Sequence, residues 1–497
     1  KKSTNSDRKN PFWIWNIMTA CITLLIFLPT IALASELNGL FPSPSPADDQ
    51  GPTERQVQGG RYANIGKDLT HSWNPPHRRI LGWLAHFNPR LKHRSLSRGL
   101  AGGGESSFDG KMADELKHSN SLPATMRCVT VKGYGKIDDM VGFSERWPVP
   151  EPGKGEMLIK VLACSLAPGD IRNLRGDCDY FGPKCPYIPG GDVCGVVLKL
   201  PTSSSSCSSL SKFKEGDVVV AMFHFRPQGG LADYALVKTA HSAKIVLKAP
   251  SSSRNKSNGF LSACEAAAIP SSALAAMLAA KSSVRKGDRV LVLGGGGGVG
   301  SHLLQFLKNY GASHVAVTAA ASPSSAEAKR LVGLGADDVI DYRRENWWEW
   351  KPNNNQNQFD MVVDLVGSYE SWRRAAKRGG VLKTGWKGGR YLTFTGDERY
   401  MQIHSLMGLY SFLGKMVSRA LFTRIFWPFY PKWTHFMDTD PTNGNLDELV
   451  RLAAAGEFRP VLDRRSPYKF KLSEVKKAMK LQESYHAKGK VVIRIAN

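Results

Sequence analysis

At 497 residues the chain has room for two or three domains, and 42% hydrophobic with 22% charged residues is an ordinary globular composition. The formal charge of +24 is not ordinary. Lysine and arginine are nevertheless spread along the chain, with no zinc-finger or RNA-binding motif beside them, which argues against nucleic acid and for solvated lysines, with acidic lipid or anionic small molecules as secondary partners.

Lys1, Lys2, Arg8 and Lys9 precede an apolar run, Phe12–Leu33, that ends in Ala32-Leu33-Ala34. Basic, apolar, then A-x-A is the layout of a secretory signal peptide, yet the run is almost long enough to span a bilayer as an anchor. Residues 1–34 therefore read as a signal peptide or a membrane anchor. Residues 35–120, with proline and serine after Phe41, glycine pairs and scattered arginines, read as a disordered linker or a transit-like address.

Ordered sequence is expected from about Thr125. MRCVTV, EMLIKVLACSL, DVCGVVLKL, DVVVAMF and YALV are short strands between Gly, Pro and Ser/Asn turns, with nothing helical expected before Cys264–Ala280. This spacing predicts an all-β unit of barrel type. The pattern then changes. VLVL (Val290–Leu293) reads as a buried parallel strand, GGGGGVG runs on to Gly300, and Leu303, Leu304, Phe306 and Leu307 have helical spacing. Strand, glycine turn and helix open a dinucleotide-binding βαβ unit, in which glycines permit the tight turn, the approach of a pyrophosphate and close helix packing. Two registers fit: Gly295, Gly297 and Gly300, or Gly294, Gly297 and Gly300. Further strands are expected at His314–Ala319, Asp337–Tyr342, Phe359–Gly367 and Gly389–Gly396, an α/β alternation that implies a parallel sheet covered on both faces.

An NAD site places an acid near the end of the second strand, about 20 residues past the glycines. Here Thr318 to Ser325 contain none, and Glu327 is the first. Small hydroxyls such as Ser322, with Lys329 and Arg330 following, would tolerate a 2′-phosphate, so NADP(H) is the expected coenzyme; on the plainer reading these serines only start a helix. The eight cysteines have irregular spacing without C-x2-C pairs, which suits reduced thiols rather than a disulfide framework. Trp347, Trp348 and Trp350 read as helix packing ahead of the fourth strand. Met401–Phe436, rich in Leu, Met, Phe and Trp with Lys415, Arg419, Arg424 and Lys432 interspersed, reads as helices and a strand at a subunit contact or over the cleft, or as a basic face resting on a membrane.

SLAPGDIRNLRG (165–176), YIPGGDVCGVV (187–197), FKEGDVVVAM (213–222), GGLADYALV (229–237), AAAIPSSALAA (266–276) and KGDRVLVLGGGGGVG (286–300) resemble, in order and spacing, the medium-chain dehydrogenase/reductase superfamily, and within it the zinc-independent quinone oxidoreductase branch. DLVGSYESW (364–372), WTHFMD (433–438), LDELVRLAAAGEFRPVLD (446–463) and HAKGKVVIRI (486–495) are more similar still to the reticulon-interacting mitochondrial NAD(P)H oxidoreductases. The resemblance covers roughly residues 125–497. It implies a GroES-like barrel over 121–265, a Rossmann NADP-binding domain over 266–430, and a segment 431–497 that completes the catalytic domain.

The same resemblance bears on the chemistry. Where zinc-dependent members carry a cysteine and a Gly-His-Glu, this chain has Asp170 and Gly190-Gly191-Asp192, and the four-cysteine lobe is missing. Hydride transfer to an isolated carbonyl leaves charge on one oxygen, which a Lewis acid stabilises. A quinone or α,β-unsaturated carbonyl spreads that charge and needs a donor and a proton, so such acceptors suit this ligand set. The resemblance implies cofactor contacts at Gly294, Gly297, Gly298, Val299 and Gly300, Ser322 by the 2′-phosphate, Tyr342 by the adenosine, Val366 and Gly367 along the nicotinamide, and Lys490 closing over the coenzyme. Tyr180 and Asp170 are the expected catalytic side chains, against a surface tyrosine and a turn aspartate. Ala275 stands where relatives often have threonine. The expected function is an NADPH-dependent quinone or enone reductase; the alternatives are an NADP(H)-binding scaffold without turnover and a fatty-chain enoyl reductase.

Overall fold

The computed structural model describes residues 122–180, 182–200, 212–223, 229–247, 261–350, 358–397, 402–436 and 438–496. The apolar run 12–33 and the stretch 35–120 lie outside them, so the signal, anchor and linker readings do too. Among the described residues no helix is long and apolar enough to cross a membrane.

β1 (Thr125–Val131) and β2 (Val141–Pro148) form an antiparallel pair around a helical turn, α1 (Ile137–Met140). β3 (Glu156–Leu166) is the spine of the barrel. Nine of its eleven residues are buried, because it carries β4 (Asp192–Lys199), β6 (Tyr234–Lys238) and the C-terminal strand β15 (Val491–Arg494) as neighbours. β5 (Val218–Met222) and β7 (Ser242–Lys244) extend the sheet beyond β4, and β14 (Tyr468–Lys469) extends it beyond β15. β14 and β15 thus return to the barrel sheet, with the second sheet lying between them and β7 in the chain.

Between β3 and β4 lies α2 (Pro168–Arg175), a helix not expected from the sequence. Pro168 presets its first turn, the Asp170 carboxylate accepts the Ala167 N–H at 2.8 Å, and Gly176 ends it at φ 75°. The helical stretch foreseen at Cys264–Ala280 is two helices, α3 (Ala263–Ala267) and α4 (Pro270–Ser283), broken where Pro270 starts the second.

The second sheet is parallel, in the order β10-β9-β8-β11-β12-β13: β8 (Arg289–Leu293), β9 (His314–Ala319), β10 (Asp338–Asp341), β11 (Met361–Asp364), β12 (Arg390–Thr393) and β13 (Lys432–His435). The helices between are α5 (Gly298–Asn309), α6 (Ala326–Gly333), α7 (Tyr369–Ala375) and α8 (Leu406–Ile425); α9 (Asn445–Ala454) and α10 (Leu472–Glu483) follow β13. Alternate residues of β8 serve opposite faces. Val290 and Val292 join the core beneath α4 and α5, whereas Leu291 and Leu293 join Trp372, Tyr391 and Trp433 on the other side. Each fully buried Val or Leu contributes about 1.5–3 kcal/mol, which is why the strand shows no polar alternation. β13 lies beyond the boundary drawn at residue 430, yet it is the sixth strand of this sheet, pairing with β12. That boundary belongs after the strand.

The tryptophan segment packs without a helix. Trp350 stacks on Phe359 at 6.0 Å, Trp347 meets Trp348 edge-on at 5.6 Å, and Arg374 lies over the Trp348 ring at 3.6 Å. In α8, Arg419 is not on an outer basic face. It is buried, paired with Asp397, and sits over the Trp433 ring.

Candidate active site

At the carboxyl end of β8 the backbone turns at Gly294, φ 82°, a conformation that suits glycine. A Cβ on Gly295 would lie 1.9 Å from Val317 Cγ2, and one on Gly300 would lie 2.6 Å from the Gly295 Cα, so both positions require hydrogen for packing alone. Gly297 differs: nothing stands closer than 3.9 Å to its Cβ position, which faces open space at the N-cap of α5. Thr318, at the end of β9, pins the turn: its hydroxyl accepts the Gly294 N–H at 3.0 Å and its carbonyl the Gly295 N–H at 3.3 Å. The first N–H groups of α5, from Gly298, Val299 and Gly300, have no acceptor within the helix and carry its positive dipole end. This cradle fits a dinucleotide diphosphate.

Next to it, the β11 end is organised by Asp364. One carboxylate oxygen accepts the N–H groups of Val366 and Gly367, both at 2.9 Å, and the other accepts the Tyr391 hydroxyl at 2.7 Å. Burial raises this carboxyl above the usual range despite those bonds. The turn brings Val366 against Gly294, with Cγ2 2.9 Å from a Cβ built there, and lays Gly367 over Thr395. Thr395 Oγ1 and His435 Nδ1 are buried at this edge without hydrogen-bond partners, and burial holds His435 neutral, down to about 4.

Beyond the end of β9, Ser325 caps α6 by accepting the Ala328 N–H at 3.1 Å, and Ser322 is half-buried just ahead of it. Arg330 is not free for a ligand. It binds Glu327 through two bonds, at 2.6 and 3.1 Å, and donates to the Gly296 carbonyl at 3.2 Å. Lys488 and Arg464 reach the same buried carboxylate at 3.9 and 4.0 Å. Glu327, the first acid after β9, is therefore surrounded by three cations and poses little repulsion to a 2′-phosphate. Tyr342 is half exposed at the end of β10.

The barrel contributes a polar cluster at the junction with α4. Asp192 is fully buried. Its Oδ2 accepts from Lys490 Nζ at 3.1 Å, Ser271 Oγ at 2.5 Å and Ser165 Oγ at 3.2 Å, and its Oδ1 accepts the Ser271 N–H at 3.2 Å. Lys490 in turn packs its stem on Gly298, with Cδ 3.1 Å from a Cβ placed there. Asp170 is buried with one oxygen on the Ala167 N–H and the other on the Gly190 N–H at 2.9 Å; burial pushes it up to about 6. Tyr180 lies in the turns after α2 and is 46% exposed. That loop is strapped to the chain entering α8: Ile403 N–H donates to the Asp177 carbonyl at 2.7 Å, and His404 Nδ1 lies 2.9 Å from Asp179. Arg172, on the outer part of α2, has its Nε buried without an acceptor.

The structure thus joins Gly294 to Val366 and Gly298 to Lys490, while Tyr180 stands on the rim and the Asp170 carboxylate is taken up by backbone. The Asp192–Ser271–Lys490 cluster, Thr395, His435 and Arg172 were not foreseen as partners. Only the Asp in Gly-Gly-Asp hinted at the first of these. The positions that match zinc ligands do not fit the metal. Asp170 and Asp192 are committed to amides, hydroxyls and an ammonium, Gly191 has no side chain, and the Cys164 thiol is buried against Gly190 and Gly230. Among the described residues no three of His, Cys, Asp and Glu converge on a metal position. Six described cysteines carry free thiols.

Residues 153–250 match the family model of the alcohol dehydrogenase GroES-like domain, and residues 334–493 that of a zinc-binding dehydrogenase. The chain is 30% identical over 390 residues to 2-methylene-furan-3-one reductase of Solanum lycopersicum, covering 77% of this chain and 82% of that protein. It is 31% identical over 401 residues to the chloroplastic NADPH-dependent alkenal/one oxidoreductase of Arabidopsis thaliana, covering 78% and 84%. It is also 31% identical to the mitochondrial NAD(P)H oxidoreductase RTN4IP1 of Homo sapiens, covering 73% and 87%. Among solved structures, the quinone oxidoreductase from Coxiella burnetii superposes with a TM-score of 0.54 at 23% identity, covering 74% of this chain and 99% of that one. A mycobacterial protein solved with NADPH superposes at 0.53 with 20% identity, covering 75% and 100%.

Proposed function

Because the chain belongs to the medium-chain dehydrogenase/reductase superfamily, we propose that it is a zinc-independent reductase that moves hydride from NADPH to a quinone or an α,β-unsaturated carbonyl. The observation that carries this reading is the glycine cradle at the end of β8, with Gly297 left open at the helix mouth and Lys490 lying against Gly298. NADPH, when bound, supplies the hydride. The N–H groups of Gly298, Val299 and Gly300 bind the diphosphate, Ser322 takes the 2′-phosphate, Tyr342 flanks the adenosine, and Val366 and Gly367 wall the nicotinamide. On the α2 side, Arg172, whose Nε is buried without an acceptor, and Tyr180 on the rim donate to the acceptor oxygen. Asp170 acts by holding α2 to Gly190 rather than by exchanging protons with a substrate. The names of the tomato and Arabidopsis relatives support a conjugated carbonyl, and the Coxiella fold neighbour is compatible with a quinone.

For delivery, the basic and apolar stretch of residues 1–34 supplies an address or anchor, and chloroplastic and mitochondrial relatives support an organelle as destination. A homodimer is supported by the exposed aromatics Trp386, Trp427 and Phe429 beside the edge strand β13.

The test is NADPH oxidation followed by stopped flow with a panel of quinones, enals and enones, with NADH run beside it. Turnover on conjugated acceptors with a preference for NADPH is expected. Coenzyme binding without turnover on any acceptor refutes the enzyme in favour of a scaffold, and a strong preference for long acyl thioesters refutes the acceptor class in favour of enoyl reduction.

A further inference from the structure

α8 carries its polarity the wrong way round for a helix that covers a sheet. Its buried residues are Ser418, Arg419 and Thr423, all polar. Arg419 is paired with Asp397 and lies over the Tyr369 ring at 4.9 Å, and Thr423 Oγ1 accepts the Trp433 N–H at 3.2 Å. Met416 and Ala420 pack on the same side, against the core of Trp372, Tyr391 and Trp433. The large apolar side chains Leu406, Met407, Leu421 and Ile425 are exposed, Met407 and Ile425 at 60% and 59%. At about 100° per residue, Met407, Leu421 and Ile425 fall within about 40° of one another, opposite Arg419, Thr423 and Met416. At about 1.5 Å per residue they mark out an apolar line roughly 27 Å long.

The surroundings of this line carry one sign of charge. Between Glu370 and Asp438 the chain has twelve lysines and arginines and two acids, Asp397 and Glu398. Asp397 is taken up by the buried Arg419 and lends the outer face nothing. Lys415 and Arg424 are exposed on α8 itself. Past its carboxyl end, burial, and then the nearby Arg424, Arg285 and Arg390, hold the Lys432 ammonium below its usual range. An exposed apolar line flanked by cations is the layout of a helix lying in the plane of a membrane surface, apolar side in the acyl boundary and cations among anionic headgroups. Crossing is not at issue, since no helix among the described residues is long and apolar enough for it. A second copy fits this face poorly: a two-fold contact sets a patch against itself and would bring these cations face to face. The aromatics offered above for a homodimer, Trp386, Trp427 and Phe429, lie outside α8.

We propose that the outer face of α8 docks the protein on an anionic bilayer: Met407, Leu421 and Ile425 enter the acyl boundary, and Lys415 and Arg424 meet lipid phosphates. The inward ties of Arg419 and Thr423 hold the helix on its sheet while it does so. The docked face adjoins the rim of the candidate site, because the chain entering α8 is strapped to the loop of Tyr180 through Ile403 to Asp177 and His404 to Asp179. The inference stands on α8 alone and is independent of the coenzyme reading and of residues 1–34.

The experiment is hydrogen–deuterium exchange of the full chain, alone and on vesicles of phosphatidylcholine with or without phosphatidylglycerol. The readout is confined to peptides from 406–425, because the run 12–33 is itself apolar enough to bind lipid and would dominate a flotation assay. Vesicles with phosphatidylglycerol should slow exchange in α8 about fivefold or more, and less so at high salt. Leu421→Glu/Ile425→Glu and Lys415→Glu/Arg424→Glu, each first shown to melt like the wild type, should lose that protection. Met407→Glu, at the other end of the line, gives the same readout should either pair fail to fold. Unchanged exchange in α8 on phosphatidylglycerol overturns the inference, as does equal slowing on phosphatidylcholine alone. Slowing that needs no lipid and grows with protein concentration overturns it in favour of a second copy.

Discussion

His302 sits within α5 with no exposed surface, and its surroundings accept only one protonation state. Nε2 accepts the Val461 N–H at 3.2 Å, so the proton is on Nδ1, which faces Ser272 Oγ at 3.3 Å. A second proton would point Nε2–H at another N–H in a dry site. Burial, helped by Lys490, accordingly lowers the imidazole from 6.5 to about 3. The folded value lies below the unfolded one, so the unfolded chain takes the proton first as the medium becomes acidic. Stability is whole above pH 6.5, declines through the window down to about 3, and changes no further through this group below it. At about pH 5 the interval is roughly 1.5 pH units, or about 2 kcal/mol at 1.36 kcal/mol per unit. His302→Gln keeps a carbonyl that can accept from Val461 and does not titrate. Urea unfolding of both proteins at about pH 7.5 and about pH 5 should show the wild type losing about 2 kcal/mol more than the variant. An equal loss in the two proteins refutes the assignment of a forced neutral histidine.

The glycines separate packing from ligand approach. Gly300→Ala drives a Cβ to 2.6 Å from the Gly295 backbone and should lower both the melting temperature and coenzyme affinity, whereas Gly297→Ala meets nothing within 3.9 Å and should shift stability by less than about 0.5 kcal/mol while weakening NADPH binding about tenfold or more. Thermal melts and coenzyme titration on the same samples check both, and equal stability losses would contradict the open face at Gly297. Ser322→Asp sets a carboxylate where a 2′-phosphate is expected. The KM for NADPH should rise about tenfold or more with little change for NADH, and parallel changes for the two coenzymes would remove Ser322 from the phosphate site.

What could be read from the sequence was what is local. The β8–glycine–α5 unit is specified by adjacent residues, and the strands around it, being buried on both faces, announce themselves as unbroken apolar runs. α2 escaped because eight residues give hardly two turns of periodicity, although Pro168, Asp170 and Gly176 mark its ends. The same Asp170 could be placed in the cleft from its position, but its commitment to the Ala167 and Gly190 amides depends on where β4 begins. Arg419 looked like a surface cation because its burial is created by Asp397 and Trp433, which lie before and after its own helix. The Lys490–Asp192 contact has no local signature at all. Two ends of a barrel meet only because a whole domain is folded between them.

That return of the chain has a consequence for biosynthesis. β3, the most heavily bonded strand of the barrel, waits for β15, which is synthesised only after every strand of the parallel sheet. The parallel sheet can assemble while translation continues, but the barrel ahead of it keeps an open seam until β15 has been made. Truncation before Lys490 would therefore spare every strand of the parallel sheet and still deny the first domain its closing strand, and with it the lysine over the glycine cradle.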